Sequence, residues 1–172
     1  MRIFPKNTKG GTTMAESILD GKKLLVVDDE PDVLEVIEEE IHERCPNCEL
    51  DKATTYEAAD DLLKSKMYDL VVLDIMGVRG FDLLEIAVSR KFKTAMLTAH
   101  ALSAEALKKS HDMGASSYLP KQKLGQLVPF LEDVLKHDHQ AGWKRVLEKL
   151  GDLFDVHFES DWRIKHNTST WY

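Results

Sequence analysis

No run of about 18 apolar residues, the length a helix needs to cross a bilayer, occurs anywhere in the 172-residue sequence. The N-terminus, MRIFPKNTKGGTTMAES, has basic residues but no apolar stretch of the kind a secretory signal requires. Cysteine is scarce. Cys45 and Cys48 are the only two, which suits a reducing, cytoplasmic setting and not a disulfide-stapled secreted domain. Asn167-Thr168-Ser169 matches a glycosylation acceptor, but without a secretion signal the match is read as chance. A basic excess is missing too. Lys and Arg total 23 against 30 Asp and Glu, a formal net charge of −7, which argues against a generic nucleic-acid-binding face. There is no GxxxxGK phosphate loop, which argues against P-loop nucleotide hydrolysis.

What is present is ordinary for a globular domain: 43% hydrophobic and 31% charged residues. Residues 1–20 are expected to be a flexible leader, rich in Gly, Thr and Lys, with Met14 an alternative start. Beyond it, short apolar runs alternate with helical patterns. Lys23–Val27 and Leu70–Leu73 are nearly continuous apolar runs, and Thr94–Leu97 and Ser117–Leu119 are weaker versions. Apolarity on both faces is what central parallel strands require. A more polar fifth strand, Glu49–Ala53, is expected at a sheet edge. Val33, Val36, Ile37 and Ile41 form a helical stripe behind Pro31, with Asp32 as N-cap or first-turn acid. Further helices are expected near 56–66, 81–90, 102–113 and 123–136, with Gly114 ending the fourth. Five strand–helix units imply right-handed crossovers and an α/β, doubly wound (βα)5 parallel sheet.

Such a sheet collects its site at the carboxyl ends of its strands. Strand 1 ends at Asp28-Asp29, strand 3 at Asp74 and strand 4 at Thr98; Lys121 follows strand 5. Crowded carboxylates repel one another, and a hard divalent cation such as Mg2+ relieves the repulsion through oxygen ligands. A carboxylate can also attack phosphorus, provided that a metal, an ammonium and a hydroxyl stabilise the transferring group. Taken singly, an Asp after a strand is commonly just a helix cap. Only the joint placement points to chemistry.

These residues sit in four ordered motifs. Leu24-Leu25-Val26-Val27-Asp28-Asp29-Glu30-Pro31, Tyr68-Asp69-Leu70-Val71-Val72-Leu73-Asp74-Ile75-Met76, Met96-Leu97-Thr98-Ala99 and Gly114-Ala115-Ser116-Ser117-Tyr118-Leu119-Pro120-Lys121 resemble the conserved segments of bacterial response-regulator receiver domains. The resemblance spans residues 22 to 136, within a receiver unit set at 21–136. It implies flavodoxin-like strand order 2-1-3-4-5 and a phosphorylation-dependent switch in a two-component or phosphorelay system. Asp74 would accept the phosphoryl group from a sensor histidine kinase or phosphotransfer protein. Asp29, Asp74 and the backbone carbonyl of Met76 would ligate Mg2+, with Asp28 acting through metal-bound water. Lys121 would pair with Asp74 or its phosphate. Thr98 would swing toward the phosphate and Tyr118 would follow inward, altering the surface built from helix 4, strand 5 and helix 5 for a downstream protein target. His100, two residues after Thr98, would influence phosphoryl lifetime. The module is a signalling device, with self-catalysed transfer and hydrolysis, and not a metabolic enzyme.

The sequence departs from the family in three places. The loop Ile75–Gly80 is about two residues short, the passage from helix 3 to strand 4 is truncated, and Gln122 stands where the family has a proline, so a trans Lys121–Gln122 bond is expected. The rival readings are a degenerate, non-phosphorylated receiver acting as an interaction scaffold or dimer through an aromatic C-terminal helix, and an aspartyl-nucleophile phosphatase. The phosphatase would need a second acid at Met76. Cys45-Pro46-Asn47-Cys48 is a CxxC, but it lies after a helix, the wrong context for a redox pair, and His42 supplies only a third zinc ligand. His137-Asp138-His139 is read as a solvated link.

Residues 137–172 form the remaining unit, a C-terminal helix and tail. Five Lys/Arg against six Asp/Glu give it no basic face, so no direct DNA contact is expected. Trp143, Val146, Leu147, Leu150 and Phe154 recur at helical spacing, and Phe158 and Trp162 extend the apolar content. This stripe either packs back on the receiver or forms a homodimer or partner contact. Residues 167–172 are expected to be a loose tail.

Overall fold

The computed structural model describes residues 16–99 and 102–172. Most of the expected leader, and His100, lie outside the described residues. Five strands, β1 (Lys23–Val27), β2 (Glu49–Ala53), β3 (Leu70–Asp74), β4 (Lys93–Thr98) and β5 (Ser117–Pro120), form one sheet in the order β2-β1-β3-β4-β5. Every pairing is parallel. The expected strand order is therefore observed. β3 is central, and all five of its residues are buried, as its unbroken apolar run requires when helices cover both faces. β2, at the edge, buries only Ala53.

Five helices connect and follow these strands: α1 (Pro31–Arg44), α2 (Tyr56–Ser65), α3 (Gly80–Ser89), α4 (Ala104–Asp112) and α5 (Leu127–Lys136). α1 packs against α5 and α2 against α3, the two-sided layering that right-handed crossovers produce. Local sequence starts each helix where the sheet needs it. Thr55 and Ser103 cap α2 and α4 by accepting from the N–H groups of Ala58 and Ala106, and Pro31 opens α1 without a lost donor. Gly114 follows α4 at φ +91°, as a C′ glycine does.

Several expectations need correction. The buried face of α1 is Leu34, Ile37 and Ile41, whereas Val36 is exposed. The sequence pattern contains both stripes, and the sheet selects the one carrying Leu34. Residues 121–126 form a 3-10 turn before α5 begins. The end of the supposed leader is packed: Leu19 is fully buried, its carbonyl accepts the Cys48 thiol at 2.8 Å, and Ser17 Oγ donates to Glu132 at 2.6 Å. Cys45 and Cys48 are buried thiols not joined in a disulfide, and burial together with the neighbouring Cys45 pushes Cys48 up to about 12. They behave as small core residues.

The C-terminal unit is a long helix, α6 (His139–His157), a short α7 (Trp162–Lys165) and a 3-10 turn at Thr168–Thr170. Asp138 caps α6 by accepting from the Ala141 N–H at 2.9 Å, so the segment read as a link is a helix start. Trp143, Val146, Leu147, Leu150 and Phe154 are all buried, packed back on the receiver beside β5 and α5. The expected loose tail is docked: Trp171 is 3% exposed and stacks on His111 of α4, ring centroids 4.5 Å apart. No helix among the described residues is long and apolar enough to cross a membrane.

Candidate functional site

The carboxyl ends of β1, β3, β4 and β5 meet at one edge of the sheet. At the end of β1 the Asp28 N–H donates to the Ala53 carbonyl of β2 at 3.1 Å, carrying the ladder one residue past the strand. The Asp28 carboxylate then accepts the Glu30 N–H at 3.0 Å. This aspartate turn bends the chain into α1 and leaves Asp29 exposed at the rim. β3 delivers Asp74 at its last position, 4% exposed. Ligand oxygens of Asp28, Asp29 and Asp74 all lie within 4.8 Å of one another.

Lys121 closes the cluster. Its Nζ lies 2.7 Å from Asp28, 2.9 Å from Glu30 and 3.5 Å from Asp74. No peptide bond among the described residues is cis, so the ammonium reaches the carboxylates across a trans Lys121–Gln122 bond. The start of the 3-10 turn at Lys121, directly after Pro120, aims the side chain inward. Glu30 carried no role in the sequence reading. The signal for it was its place as the third acid of Asp28-Asp29-Glu30, within one turn of a strand end.

Burial raises the Asp74 carboxyl to about 6, with Asp28 and Asp29 adding to the rise and Lys121 opposing it. Burial also raises Asp28, against the pull of Lys121 and the Glu30 N–H. Burial works against the Lys121 charge, yet the Asp28 and Glu30 carboxylates hold it above the usual lysine range. The site thus concentrates negative charge that one ammonium does not balance. Three carboxylates of this kind form a donor set suited to a hard divalent cation.

The short loop after Asp74 is closed by backbone conformations that few residues adopt. Gly77 has φ +78° and Arg79 φ +54°. The Val78 N–H donates to the Met76 carbonyl at 2.9 Å, leaving that oxygen one further lone pair. A Cβ on Gly77 would overlap the Asp29 carboxylate, and one on Gly80 would overlap the Asp74 carbonyl oxygen and the Ile75 backbone. Loop economy therefore depends on glycine at both places. Gly80→Ala is expected to destabilise the fold by about 1–3 kcal/mol through backbone displacement, read as a lower urea midpoint; an unchanged midpoint contradicts the tight packing.

Above the carboxylates lies a cleft of about 160 Å³ lined by Asp29, Glu30, Asp74, Met76, Gly77, Ala99 and Lys121. Thr98, at the end of β4, is buried beside it. The Tyr118 phenol is hydrogen-bonded to the Thr98 side chain and to the backbone of Ser103, and burial raises its ionisation above the usual range. Tyr118 is fully buried, already turned inward.

The sequence comparisons agree with this geometry. Residues 24–131 match the model of the response regulator receiver domain. The chain belongs to this family. A relative, the transcriptional regulatory protein TctD of Salmonella typhimurium, is 36% identical over 102 residues, covering 56% of this chain and 44% of TctD. The receiver therefore matches less than half the length of that regulator. Among solved structures, a CheY-like receiver domain protein from Methanospirillum hungatei JF-1 has a TM-score of 0.56 at 24% identity, covering 67% of this chain and 96% of that one. The receiver domain of NtrX from Brucella abortus has a TM-score of 0.58 at 24% identity, covering 67% and 99%. These two structures share the fold. Residues 24–131 are thus a receiver domain, and the general role of this family is phosphorylation-dependent switching in two-component systems.

Proposed function

We propose that Asp74 accepts a phosphoryl group from a histidine kinase or phosphotransfer protein, and that the resulting charge changes the protein's contacts with a downstream target. The observation that carries this reading is the convergence of Asp28, Asp29 and Asp74 with Lys121 beneath an open cleft. An Asp74 oxygen attacks phosphorus while the donor's bond to phosphorus breaks, so the donor leaves with that electron pair. Above its raised ionisation point Asp74 is a carboxylate, and the Lys121 ammonium 3.5 Å away can follow the charge onto the phosphoryl oxygens. Thr98 supplies a hydroxyl one strand away. Asp28, Asp29, Asp74 and the Met76 carbonyl would hold Mg2+, which would neutralise charge on the transferring group.

Acetyl phosphate with Mg2+ tests the reading. The expected result is a mass gain of one phosphoryl group, absent without Mg2+ and absent in Asp74→Asn. No incorporation under those conditions overturns it. The scaffold alternative drew on an exposed aromatic helix, and that helix stripe is buried against its own receiver.

A further inference from the structure

We propose that residues 138–171 are this receiver's own output element: an aromatic strap seated on the α4–β5–α5 face and loosened when Asp74 carries a phosphoryl group. The proposal rests on Asp74 being the phosphoacceptor.

The strap touches each of the three elements. The Trp143 indole N–H donates to the Ala115 carbonyl, just before β5, at 2.8 Å. Trp171 stacks on His111 of α4, with ring planes 16° apart. Lys149 and Arg145 of α6 pair with Asp133 of α5 at 2.5 and 3.4 Å. Gly142 brings the α6 backbone so close that a Cβ there would lie 3.0 Å from the Ser116 carbonyl. A partner arriving from solution would find this face filled.

The same strap reaches the switch residues. Phe154 lies edge-on against Tyr118, centroids 6.1 Å apart, and forms a wall of the tyrosine's site. The tyrosine in turn bonds to Thr98, one strand over from Asp74, which pairs in register with Leu97. The Thr98 hydroxyl can serve the phenol or a phosphoryl oxygen on Asp74. Turning to the phosphate takes a partner from a fully buried phenol, which then favours rearrangement of its neighbours. Beside this contact a cleft of about 170 Å³ opens, lined by Leu102 and Ser103 on the receiver side and by Phe158 and Trp162 of the strap. The neighbouring surface already exposes apolar Val156 and Ile164, 81% and 86% accessible. Loosening would add the strap's buried aromatic side to that surface.

All three tryptophans of the chain, Trp143, Trp162 and Trp171, lie in the strap, so indole emission reports on this segment alone. The test adds Mg2+ and beryllofluoride, a phosphoryl mimic, to the full chain. It follows backbone hydrogen exchange in α6 and tryptophan emission, in parallel with acetyl phosphate labelling. Expected are exchange in α6 faster by roughly 5- to 150-fold, the usual range of coupling between two sites, and a red-shifted emission, both absent in Asp74→Asn. Because coupling is reciprocal, the mild Phe154→Leu variant should bind beryllofluoride more tightly than the parent. Labelled Asp74 with unchanged or slowed exchange in α6 overturns the strap and leaves the phosphoacceptor intact. Absence of both labelling and beryllofluoride response overturns both.

Discussion

Trp143→Ala is expected to lower the unfolding free energy by about 3–5 kcal/mol. The side chain is 0% exposed and is the hub of the contact between α6 and the receiver. Its ring meets His111 and Trp171 edge-on at centroid distances of 5.3 and 5.5 Å. Truncation would leave a cavity the size of an indole between elements tied to the sheet, with little freedom to collapse. It would also strip the Ala115 carbonyl of its 2.8 Å donor. Trp143→Phe separates the two effects. It keeps much of the ring and removes the donor, so it should cost about 1–3 kcal/mol, the range for an orphaned buried polar group. Urea unfolding followed by far-UV circular dichroism measures both. A Trp143→Ala protein as stable as the parent would show that the C-terminal segment does not contribute to the folded core.

The sheet was readable because its strands declare themselves. Leu70–Leu73 is apolar at every position, and only a strand covered on both faces tolerates that. The site was readable for a related reason: a parallel sheet sends all its strand ends to one edge, so Asp28, Asp74, Thr98 and Lys121 had to approach one another. What could not be read was anything set by contacts distant in sequence. Val36 and Leu34 offer α1 two competing faces, and the choice is made by the sheet beneath. Leu19 looks like part of a polar leader until its burial near Cys48 is seen. The tail 167–172 is short and polar apart from Trp171 and Tyr172, and local pattern gives no hint that Trp171 finds a ring on α4.

The departures from the family pattern were visible as sequence, but their consequences were not. A short Ile75–Gly80 loop and a missing proline after Lys121 both suggested a distorted site. In the structure, Gly77 and Arg79 take left-handed conformations that turn the chain within fewer residues. Lys121 is held by carboxylates instead of by a neighbouring ring: Asp28 on one side and Glu30 on the other. Inward Tyr118 was expected only as a consequence of phosphorylation. It is already buried here, with Phe154 edge-on against its ring and Thr98 and Ser103 as hydrogen-bond partners.

Asp74→Asn is expected to stabilise the fold at neutral pH by up to about 3 kcal/mol while abolishing phosphoryl transfer. The Asp74 carboxyl rises from 3.8 to about 6 on folding, chiefly by burial and then by repulsion from Asp28 and Asp29. Each unit corresponds to about 1.4 kcal/mol. The sign follows from proton counting. Between pH 3.8 and about 6 the folded state binds the proton and the unfolded state does not, so stability falls as pH rises through that window. Below 3.8 the residue is neutral in both states and the asparagine should confer no advantage. Above about 6 the full cost of a buried, poorly balanced carboxylate is present, and the variant should be most favoured. Other carboxylates work the opposite way. Lys149 and Arg145 hold Asp133 below its usual range against burial, and Arg163 holds Asp155 low, so their contributions are lost as pH falls. The difference between variant and parent is therefore the informative curve, taken from urea unfolding between pH 3.5 and 8 in buffers free of divalent cations. Added Mg2+ should then stabilise the parent more than the variant, because cation binding and removal of the charge relieve the same repulsion. A flat difference curve, or an asparagine variant less stable than the parent at pH 7, would show that Lys121 already balances the cluster. With the expected outcome, the fold sacrifices stability to keep an ionised nucleophile buried, as the chemistry proposed for Asp74 demands.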